Sequence, residues 1–413
     1  MSQTITRKIR MELDPVGQFY AATINERQPG NFYITAYLKE PIDVQSLQTA
    51  VNDLMCRMPF LSGRLHSGFF WYFHEMLAKP PQIVFAKDMP LFDSYYKHGD
   101  GHVLRVLYGE RHFTVEAIHS VVDGRGLAKV ISILLVRYFE LLGLKVENAD
   151  IADNNSVPQF EETEDAYCRY ADFKNNPPKP KKTEPGKPIY RHKGAKKIPK
   201  KSPARIIKKT FDAEKFKAKA QTYGATISEY ILTHIFKAIA EERNENGCKR
   251  QITSMIPIDC RNFFPSRTFR SFVVTKIIIM PEVAEFSDIL QKLRGQFTEI
   301  NSEFTQAEIN QMQRLKKNVR FLPLIIKKWM LKWIERLNGH KQTTIFSNLG
   351  RVTLPHKIQE HIENLEFTLS SPEHIPYSFA CITSGQALTL TITAGVEGDT
   401  LANKILTNLQ EGI

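Results

Sequence analysis

The stretch His119-Ser-Val-Val-Asp123-Gly124 joins two segments whose hydrophobic patterns differ. The segment before it alternates with period two, the pattern of a strand. The residues on one face of that strand are Phe113, Val115, Ala117 and His119. The segment after it repeats with helical spacing. Its apolar positions are Leu127, Val130, Ile131, Leu134, Leu135, Tyr138 and Leu142. The sequence therefore predicts a strand, a tight polar turn and a helix that Asp123 caps.

The predicted turn places His119 at the carboxyl end of a strand. α/β architectures tend to hold their reactive groups at such ends. A simpler interpretation is that a His and an Asp at a strand-to-helix turn only form a capping arrangement. The local pattern leaves both interpretations open.

The length of 413 residues exceeds what one hydrophobic core normally serves, so it predicts two domains. The five cysteines are scattered, without the paired spacing of a zinc site or a disulfide framework. The N-terminus has no apolar signal core, and no apolar run approaches the roughly 18 to 20 residues of a membrane-spanning helix. We therefore expect a cytoplasmic protein with reduced thiols.

The net charge of +12 is concentrated in two segments. Residues 174–209 contain twelve Lys, two Arg and one acid, so they carry +13 and the rest of the chain sums to −1. Residues 314–341 contain nine basic residues and Glu335, which adds +8 there. A nucleic-acid groove would combine such charge with interleaved aromatic residues on a folded face. The first segment has instead the character of a solvated linker, so we expect no nucleic-acid partner.

The linker, rich in proline and lysine, divides the chain into two halves. We place the N-terminal half at residues 1–173, the linker at 174–206 and the C-terminal half at 207–413.

Both halves mix predicted strands and helices. Asp43 begins a helix in the first half, and Thr226 with Glu229 forms a capping box at a helix in the second. A strand is predicted at residues 69–74. The fold class is therefore α/β with mixed sheets.

Two further motifs follow in the second half. The motif Pro257-Ile-Asp259-Cys-Arg261 lies at the end of a predicted buried strand and contains the charged residues Asp259 and Arg261. The motif Ser347-Asn348-Leu-Gly350 lies where another predicted strand continues into a turn. These motifs and His119-Ser-Val-Val-Asp123-Gly124, in this order over most of the chain, resemble the superfamily of CoA-dependent acyltransferases and non-ribosomal peptide condensation domains. Its motif is His-x-x-x-Asp-Gly (HxxxDG), and the chain is most similar to the alcohol acetyltransferase branch.

The resemblance implies two domains similar to chloramphenicol acetyltransferase, each a mixed sheet flanked by helices, with an active-site tunnel between them. It implies transfer of an acyl group, in the simplest case acetyl, from a CoA thioester to an alcohol or amine. His119 would be the general base, because a neutral imidazole can accept the acceptor's proton. No acyl-enzyme is needed. Acyl-CoA would be a co-substrate with no permanently bound cofactor or metal, and we expect a monomer.

The resemblance also implies roles for the residues around His119. Asp123 would be structural and paired with Arg261. Exchanging the two charges in a double mutant should then restore the folding and activity that each single substitution loses. Gly124 would allow a close backbone contact or an unusual dihedral angle. Ser347 and Asn348, in the predicted turn, could donate to the oxyanion. The sequence lacks the Asp-Phe-Gly-Trp-Gly motif of the plant members. This excludes the plant branch and leaves the hydrogen-bond donor to the oxyanion unassigned.

Residues 319–338 have the pattern of a basic amphipathic helix. One face holds Leu322, Ile325, Ile326, Trp329, Met330, Trp333 and Leu337. The basic residues about the other face are Lys327, Lys328, Lys332 and Arg336. Such a helix can lie on an anionic bilayer or cover a lipid-binding opening. Because Trp and Ile stripes usually belong to a core, packing against the second domain is the competing hypothesis.

Three other functions compete with the CoA-dependent transferase. A stand-alone condensation-type enzyme that takes thioesters from acyl carrier proteins would use the same His119. A zinc hydrolase would need His119 and Asp123 as ligands, but the strand-turn-helix pattern keeps them off one helical face and no third ligand is evident. A non-catalytic protein that keeps the fold for binding would tolerate His119→Ala.

Overall fold

The structure is a computed structural model. It describes residues 9–25, 30–88, 101–146, 158–174, 189–192, 205–281, 285–339, 341–372 and 375–411. Within these ranges the strands are β1 (Arg10–Glu12), β2 (Asn31–Leu38), β3 (Gly63–Ser67), β4 (Tyr72–Met76), β5 (Val84–Phe85), β6 (Leu104–Tyr108), β7 (His112–Ile118), β8 (Arg205–Asp212), β9 (Ile252–Asp259), β10 (Val273–Met280), β11 (Thr344–Val352), β12 (Ile362–Leu369), β13 (Tyr377–Ser384) and β14 (Ala387–Ala394). The α-helices are α1 (Pro15–Thr23), α2 (Val44–Arg57), α3 (Gly124–Leu141), α4 (Ala166–Tyr170), α5 (Ala213–Thr222), α6 (Ile227–Glu245), α7 (Phe286–Phe297), α8 (Ser302–Asn318), α9 (Leu324–Gly339), α10 (His356–Gln359) and α11 (Thr400–Glu411).

Three sheets organise these elements. The smallest has the order β1-β4-β3, the second β12-β2-β7-β6-β5 and the largest β10-β9-β11-β13-β14-β8. The two larger sheets each combine parallel and antiparallel pairs, and each has helices packed against it. The predicted fold class, two α/β lobes with mixed sheets, is confirmed.

The predicted strand, turn and helix around His119 are confirmed. β7 lies in the middle of the five-stranded sheet, between β2 and β6. Asp123 is the N-cap of α3, because its side chain accepts a hydrogen bond from the Gly126 N–H. The predicted apolar stripe of α3 joins the core of that sheet, except for Leu142, which follows the end of the helix and is exposed. His119 thus follows directly on the end of a central strand.

The two helix starts predicted from capping residues are also confirmed. Asp43 Oδ1 accepts a hydrogen bond from the Ser46 N–H at 2.7 Å and begins α2. The capping box of Thr226 and Glu229 is formed in both directions at the start of α6. These caps depend on residues three positions apart, so a local pattern identifies them.

One strand from the C-terminal half completes the sheet of the N-terminal half. β12 pairs antiparallel with β2, and its Leu365 and Phe367 belong to the same hydrophobic core as the apolar residues of β2, β7 and α3. The two halves therefore share a sheet, and the division at residues 173 and 207 follows the order of the chain but not the composition of the sheets. Most of the predicted linker, 174–206, lies outside the described residues.

The strand predicted at residues 69–74 is wrong in its position. The structure has a hairpin of β3 and β4 there, and residues 68–71 form its tip, where the Gly68 N–H donates to the Trp71 carbonyl at 2.9 Å. Phe and Trp favour strands in general, which explains the error. In this hairpin Phe69 and Phe70 lie at the exposed end instead.

The turn predicted at Ser347-Asn348-Leu-Gly350 is also wrong. These residues lie within β11, where the register with β13 shifts between Asn348 and Arg351. Gly350 adopts a φ of 74° at this bulge. A bulge and a turn both use a glycine in the left-handed region, so the two look alike in the sequence.

The first turn of α3 lies so close to Phe269 that position 126 has no room for a side chain. A Cβ on Gly126 would overlap the backbone carbonyl of Phe269, which cannot rotate away. We expect Gly126→Ala to lower the free energy of unfolding by about 3 kcal/mol or more. Chemical denaturation would measure it.

Gly295→Ala is the matched control, because Gly295 lies in α7 with nothing within 4 Å of the added Cβ. Removing a glycine from an exposed helical position should stabilise the protein by roughly 0.5 to 1 kcal/mol. Equal effects of the two substitutions would contradict the close approach of α3 to Phe269.

Candidate active site

A cavity of about 820 Å³ lies between the two halves. The N-terminal half contributes α1, β2 and the turn after β7, and the C-terminal half contributes β9, β11, α8 and α9. The residues selected from the sequence that line this cavity are His119, Asp123, Gly124, Ser347 and Asn348. Arg261 lies behind Asp123. The structure thus brings the selected residues of both halves to one place.

The imidazole of His119 is held between two aromatic rings. The ring of Tyr20, from α1, stacks on it with a centroid distance of 4.4 Å and 12° between the planes. The ring of Phe32, from β2, lies 4.2 Å away at 33°. The backbone N–H of His119 donates to the Gly30 carbonyl at 2.8 Å. These contacts fix the orientation of the imidazole.

Burial lowers the pKa of His119 to about 3, because the charged form loses its hydration in these surroundings. The ring is therefore neutral at physiological pH. Its Nδ1 is shielded from solvent and has no hydrogen-bond partner in the part of the chain that the structure describes. Nε2 is consequently the nitrogen available to a ligand in the cavity, and a neutral Nε2 can accept a proton.

Both oxygens of the Asp123 carboxylate are occupied. Oδ1 accepts from the Gly126 N–H at 2.7 Å, and Oδ2 accepts from the Phe272 N–H and from Arg261 Nη1, each at 2.9 Å. Only 1% of Asp123 is exposed. The carboxylate therefore caps α3 and ties its first turn to the start of β10.

Arg261 completes this arrangement with five hydrogen bonds. Nη1 donates to Asp123 and to Asp259 at 2.9 and 2.8 Å, while Nε and Nη2 donate to the carbonyls of Thr268 and Arg270. Burial opposes the charge, but the carboxylates of Asp123 and Asp259 outweigh it and raise the pKa of Arg261.

The expectation that exchanging the two charges restores the protein is not supported by this geometry. An arginine at position 123 could not accept the two backbone N–H groups that Asp123 accepts. A carboxylate at position 261 could not donate to the three backbone carbonyl contacts. The pair is directional because both partners also bond to backbone groups.

Gly124 allows a close contact. It is absent from the glycines with positive φ, so no unusual dihedral angle explains it. A Cβ there would lie 2.6 Å from Cδ2 of Leu349, which packs from β11 onto the start of α3. As the first residue of α3, Gly124 presents the positive end of the helix to the cavity.

The two candidate oxyanion donors on β11 differ in how they are engaged. The Asn348 side chain accepts from the Gly350 N–H at 2.8 Å and donates to Ser228 Oγ at 2.9 Å. The Ser347 hydroxyl lines the cavity and makes no hydrogen bond within the described ranges. Ser347 is therefore the freer donor.

Three residues that contact predicted site residues were not themselves predicted. Tyr20 and Phe32 enclose His119, and Ser228, at the start of α6, holds Asn348. Phe32 lies on β2, but nothing in its sequence neighbourhood relates it to His119. The contact depends on β2 pairing with β7, which only the sheet topology shows.

α9 lines the cavity with its inner face, which includes Met330, Leu331 and Ile334. The prediction that Lys327 lies on the polar outer face is wrong. Lys327 is buried, its Nζ donates to the Phe70 carbonyl at 2.9 Å, and it lies 3.2 Å from the centre of the Trp71 ring. Burial lowers the pKa of Lys327 to about 8. The structure therefore turns one lysine of this helix inward.

No group of three or more His, Cys, Asp or Glu side chains in the described ranges could hold a metal ion. No helix in those ranges combines the length and the hydropathy needed to cross a bilayer. In addition, the oxygens of Asp123 face N–H donors, so this carboxylate is not placed as a metal ligand beside His119.

Asp123→Asn would place an amide N–H₂ or a weaker acceptor against the donors of Arg261 and Phe272. Because removing one partner of a buried ion pair leaves the other uncompensated, we expect a loss of about 3 to 5 kcal/mol in the free energy of unfolding. Denaturant titration would measure it.

Glu214→Gln is the matched control, since Glu214 pairs with Arg351 at 2.8 Å on the exposed surface. Its effect should stay below about 1 kcal/mol. An Asp123→Asn variant as stable as the wild type would show that the buried pair does not join the two halves.

Comparisons by sequence identify no relative: no family model matches the chain, and no curated protein matches it. Solved structures do match. Polyketide synthase associated protein 5 from Mycobacterium tuberculosis has 13% identity, with 96% of each chain covered and a TM-score of 0.64. A trichothecene 15-O-acetyltransferase from Fusarium sporotrichioides has 12% identity, with 98% of this chain and 95% of that chain covered and a TM-score of 0.61.

A condensation domain from monacolin K polyketide synthase has 12% identity, with 98% of this chain and 96% of that chain covered and a TM-score of 0.58. Identities this low carry the fold and no more, so the similarity to the alcohol acetyltransferase branch stays a prediction. The full-length coverage shows that the likeness extends over both halves. The chain therefore has the two-lobed fold that condensation domains share with chloramphenicol acetyltransferase-like acyltransferases.

Proposed function

We propose that this protein transfers an acyl group from a CoA thioester to the hydroxyl or amine of a second substrate, with His119 as the general base. One observation carries the proposal: a neutral imidazole, fixed between Tyr20 and Phe32, lines a cavity to which both halves contribute. The acetyltransferase among the structural neighbours supports it.

The first step moves a proton. As the oxygen or nitrogen of the acceptor attacks the thioester carbonyl carbon, its proton passes to Nε2 of His119. The imidazolium that forms lies against the faces of Tyr20 and Phe32, which attract a cation. This attraction offsets part of the desolvation that lowers the pKa of His119.

The second step resolves the tetrahedral intermediate. Attack forms the new C–O or C–N bond and places a negative charge on the former carbonyl oxygen, for which the Ser347 hydroxyl and the positive end of α3 at Gly124 are the available donors. Collapse re-forms the carbonyl and breaks the C–S bond. The leaving thiolate takes the proton from the imidazolium, which returns His119 to its neutral form and releases CoA.

The walls of the cavity suit an acceptor with an apolar body. Trp71, Met255, Met330 and Ile345 line it, together with the polar residues described above and others that include Glu308, Gln311 and Gln342. Its volume of about 820 Å³ is in the usual range for a small-molecule site. We therefore expect an acceptor larger than a short alcohol.

The test is a panel of acyl-CoAs from acetyl to long-chain, with release of free thiol followed in the presence and absence of apolar alcohols and amines. Thiol release should require the acceptor. His119→Ala should lower kcat/KM by roughly 10²- to 10⁴-fold, the contribution of a positioned base.

His112→Ala is the control for this variant, because His112 lies at the other end of β7 and does not line the cavity. It should keep its activity. If carrier-bound thioesters react and acyl-CoAs do not, the donor is an acyl carrier protein and the protein is a condensation-type enzyme. If His119→Ala matches the wild type on every donor, His119 is not the base.

The lowered pKa of His119 makes a separate prediction for pH dependence. A depressed pKa means that the neutral form persists as the pH falls, until the pH approaches about 3. The kcat/KM of the wild type should therefore show no loss from His119 protonation between pH 7 and pH 5. A decline with a midpoint near 6.5, the ordinary pKa of histidine, would contradict the buried, neutral imidazole.

A further inference from the structure

The outer face of α9 exposes large apolar side chains to solvent. Ile325 is 84% exposed, Trp329 70% and Trp333 more than half. Their spacing, with Leu337, is four residues, so they form one row along the helix. This row and the neighbouring aromatic residues form what we call the α9 ridge, defined by Phe69, Phe321, Ile325, Trp329, Trp333 and Leu337.

The hairpin tip belongs to the same ridge. The Leu324 N–H donates to the Phe69 carbonyl at 2.8 Å, and Lys327 Nζ donates to the Phe70 carbonyl at 2.9 Å. Phe69 is 73% exposed. These two bonds fasten the tip of the β3–β4 hairpin to the start of α9, so that the exposed Phe69 lies beside the start of this helix.

A row of positive charge runs beside the ridge. Lys328, Lys332 and Arg336 are exposed and also four residues apart, one position from the apolar row. The guanidinium of Arg320 lies 4.5 Å from the centre of the Phe321 ring. The one acid on α9, Glu335, lines the cavity instead. The outer face of α9 is therefore apolar along one row and basic along the next.

The inner face of α9 lines the cavity. Met330, Leu331 and Ile334 contact that space from the helix that carries the ridge. One layer of helix thus separates the cavity from the ridge. This continuity explains why the row of tryptophans does not pack into a core: the buried side of the helix is taken by the residues that line the cavity.

We propose that the α9 ridge is a membrane-binding surface that lies on an anionic lipid bilayer. Exposed Trp and Phe side chains enter the boundary between headgroups and acyl chains, while Lys and Arg beside them pair with anionic headgroups. Single exposed apolar residues are common on proteins, but a contiguous row of this kind marks an interaction site.

The charge pattern distinguishes a bilayer from a second copy of this chain. An antiparallel two-fold pairing of two ridges would bring the two basic rows to the same side, and like charges close together oppose association. An anionic bilayer complements both rows at once. The surface acts through the outer side chains of α9, so it does not depend on the acyl transfer proposed for His119.

The experiment is flotation of the full-length protein with vesicles of phosphatidylcholine alone or with phosphatidylserine added. The protein should float with the anionic vesicles, bind less as salt rises, and shift its Trp fluorescence to the blue. Trp329→Ser with Trp333→Ser should weaken partitioning roughly tenfold or more and remove the shift, although Trp71 remains.

The charge variant replaces Lys328, Lys332 and Arg336 with Gln. It should weaken binding to anionic vesicles roughly fivefold for each charge removed and leave binding to neutral vesicles unchanged.

Two control variants lie elsewhere on the surface. Lys215→Gln, Lys217→Gln and Lys292→Gln together remove three exposed charges away from α9, and Phe160→Ser removes an exposed aromatic ring. Both should float like the wild type, as should His119→Ala, which separates this proposal from the acyltransferase. Circular dichroism checks that each variant is folded.

Three results would overturn the proposal. The first is that the wild type does not float at low salt, and the second is that it floats equally well with neutral and anionic vesicles. The third is that the control variants lose as much binding as the ridge variants. Light scattering tests whether the ridge binds a second copy of this chain instead. The ridge is assigned to a second copy if the wild type is a dimer that does not bind vesicles and the Trp329→Ser and Trp333→Ser variant is a monomer.

Discussion

The arrangement of the two lobes depends on the buried ion pair of Asp123 and Arg261. Asp123 begins α3 in the N-terminal half, and Arg261 follows β9 in the C-terminal half. Taking two charges out of water is costly unless their remaining hydrogen-bonding groups find partners. Here Asp123 accepts three N–H groups and Arg261 makes five hydrogen bonds, so the cost is offset and the pair holds in one geometry. The pair lies at the wall of the cavity between the halves, which Asp123 lines.

The same ion pair separates the roles of His119 and Asp123 within the His119-Ser-Val-Val-Asp123-Gly124 motif. Because Asp123 is committed to Arg261 and to backbone N–H groups, it is not available to orient or charge His119. The imidazole is oriented instead by the rings of Tyr20 and Phe32. A base oriented by a carboxylate would have a raised pKa, whereas aromatic surroundings lower it. The site therefore holds a neutral imidazole, and the ring faces offset part of the cost of charging it.

α9 shows how one helix can serve two environments. Its inner residues line the cavity, and its outer row of Ile325, Trp329 and Trp333 is exposed. Lys327 lies on the inner side, where the Phe70 carbonyl at the tip of the β3–β4 hairpin accepts a hydrogen bond from its Nζ. A buried lysine at this position joins the hairpin to the helix, so the aromatic tip and the tryptophan row form one surface. The surface and the cavity are consequently built by the same element.

The amino-acid sequence by itself determined the features that depend on neighbours a few positions apart. It predicted the strand, turn and helix around His119, the cap of α3 by Asp123 and the capping box at Thr226, because these follow from periodicity and from hydrogen bonds within one turn. Only the tertiary structure decided which side chains from distant parts of the chain contact each other. Phe32 meets His119 because β2 pairs with β7, and Tyr20 reaches the same ring from α1. Lys327 turns inward because the β3–β4 hairpin lies beneath it. Such contacts join residues far apart in the chain, and no local pattern encodes the space between them.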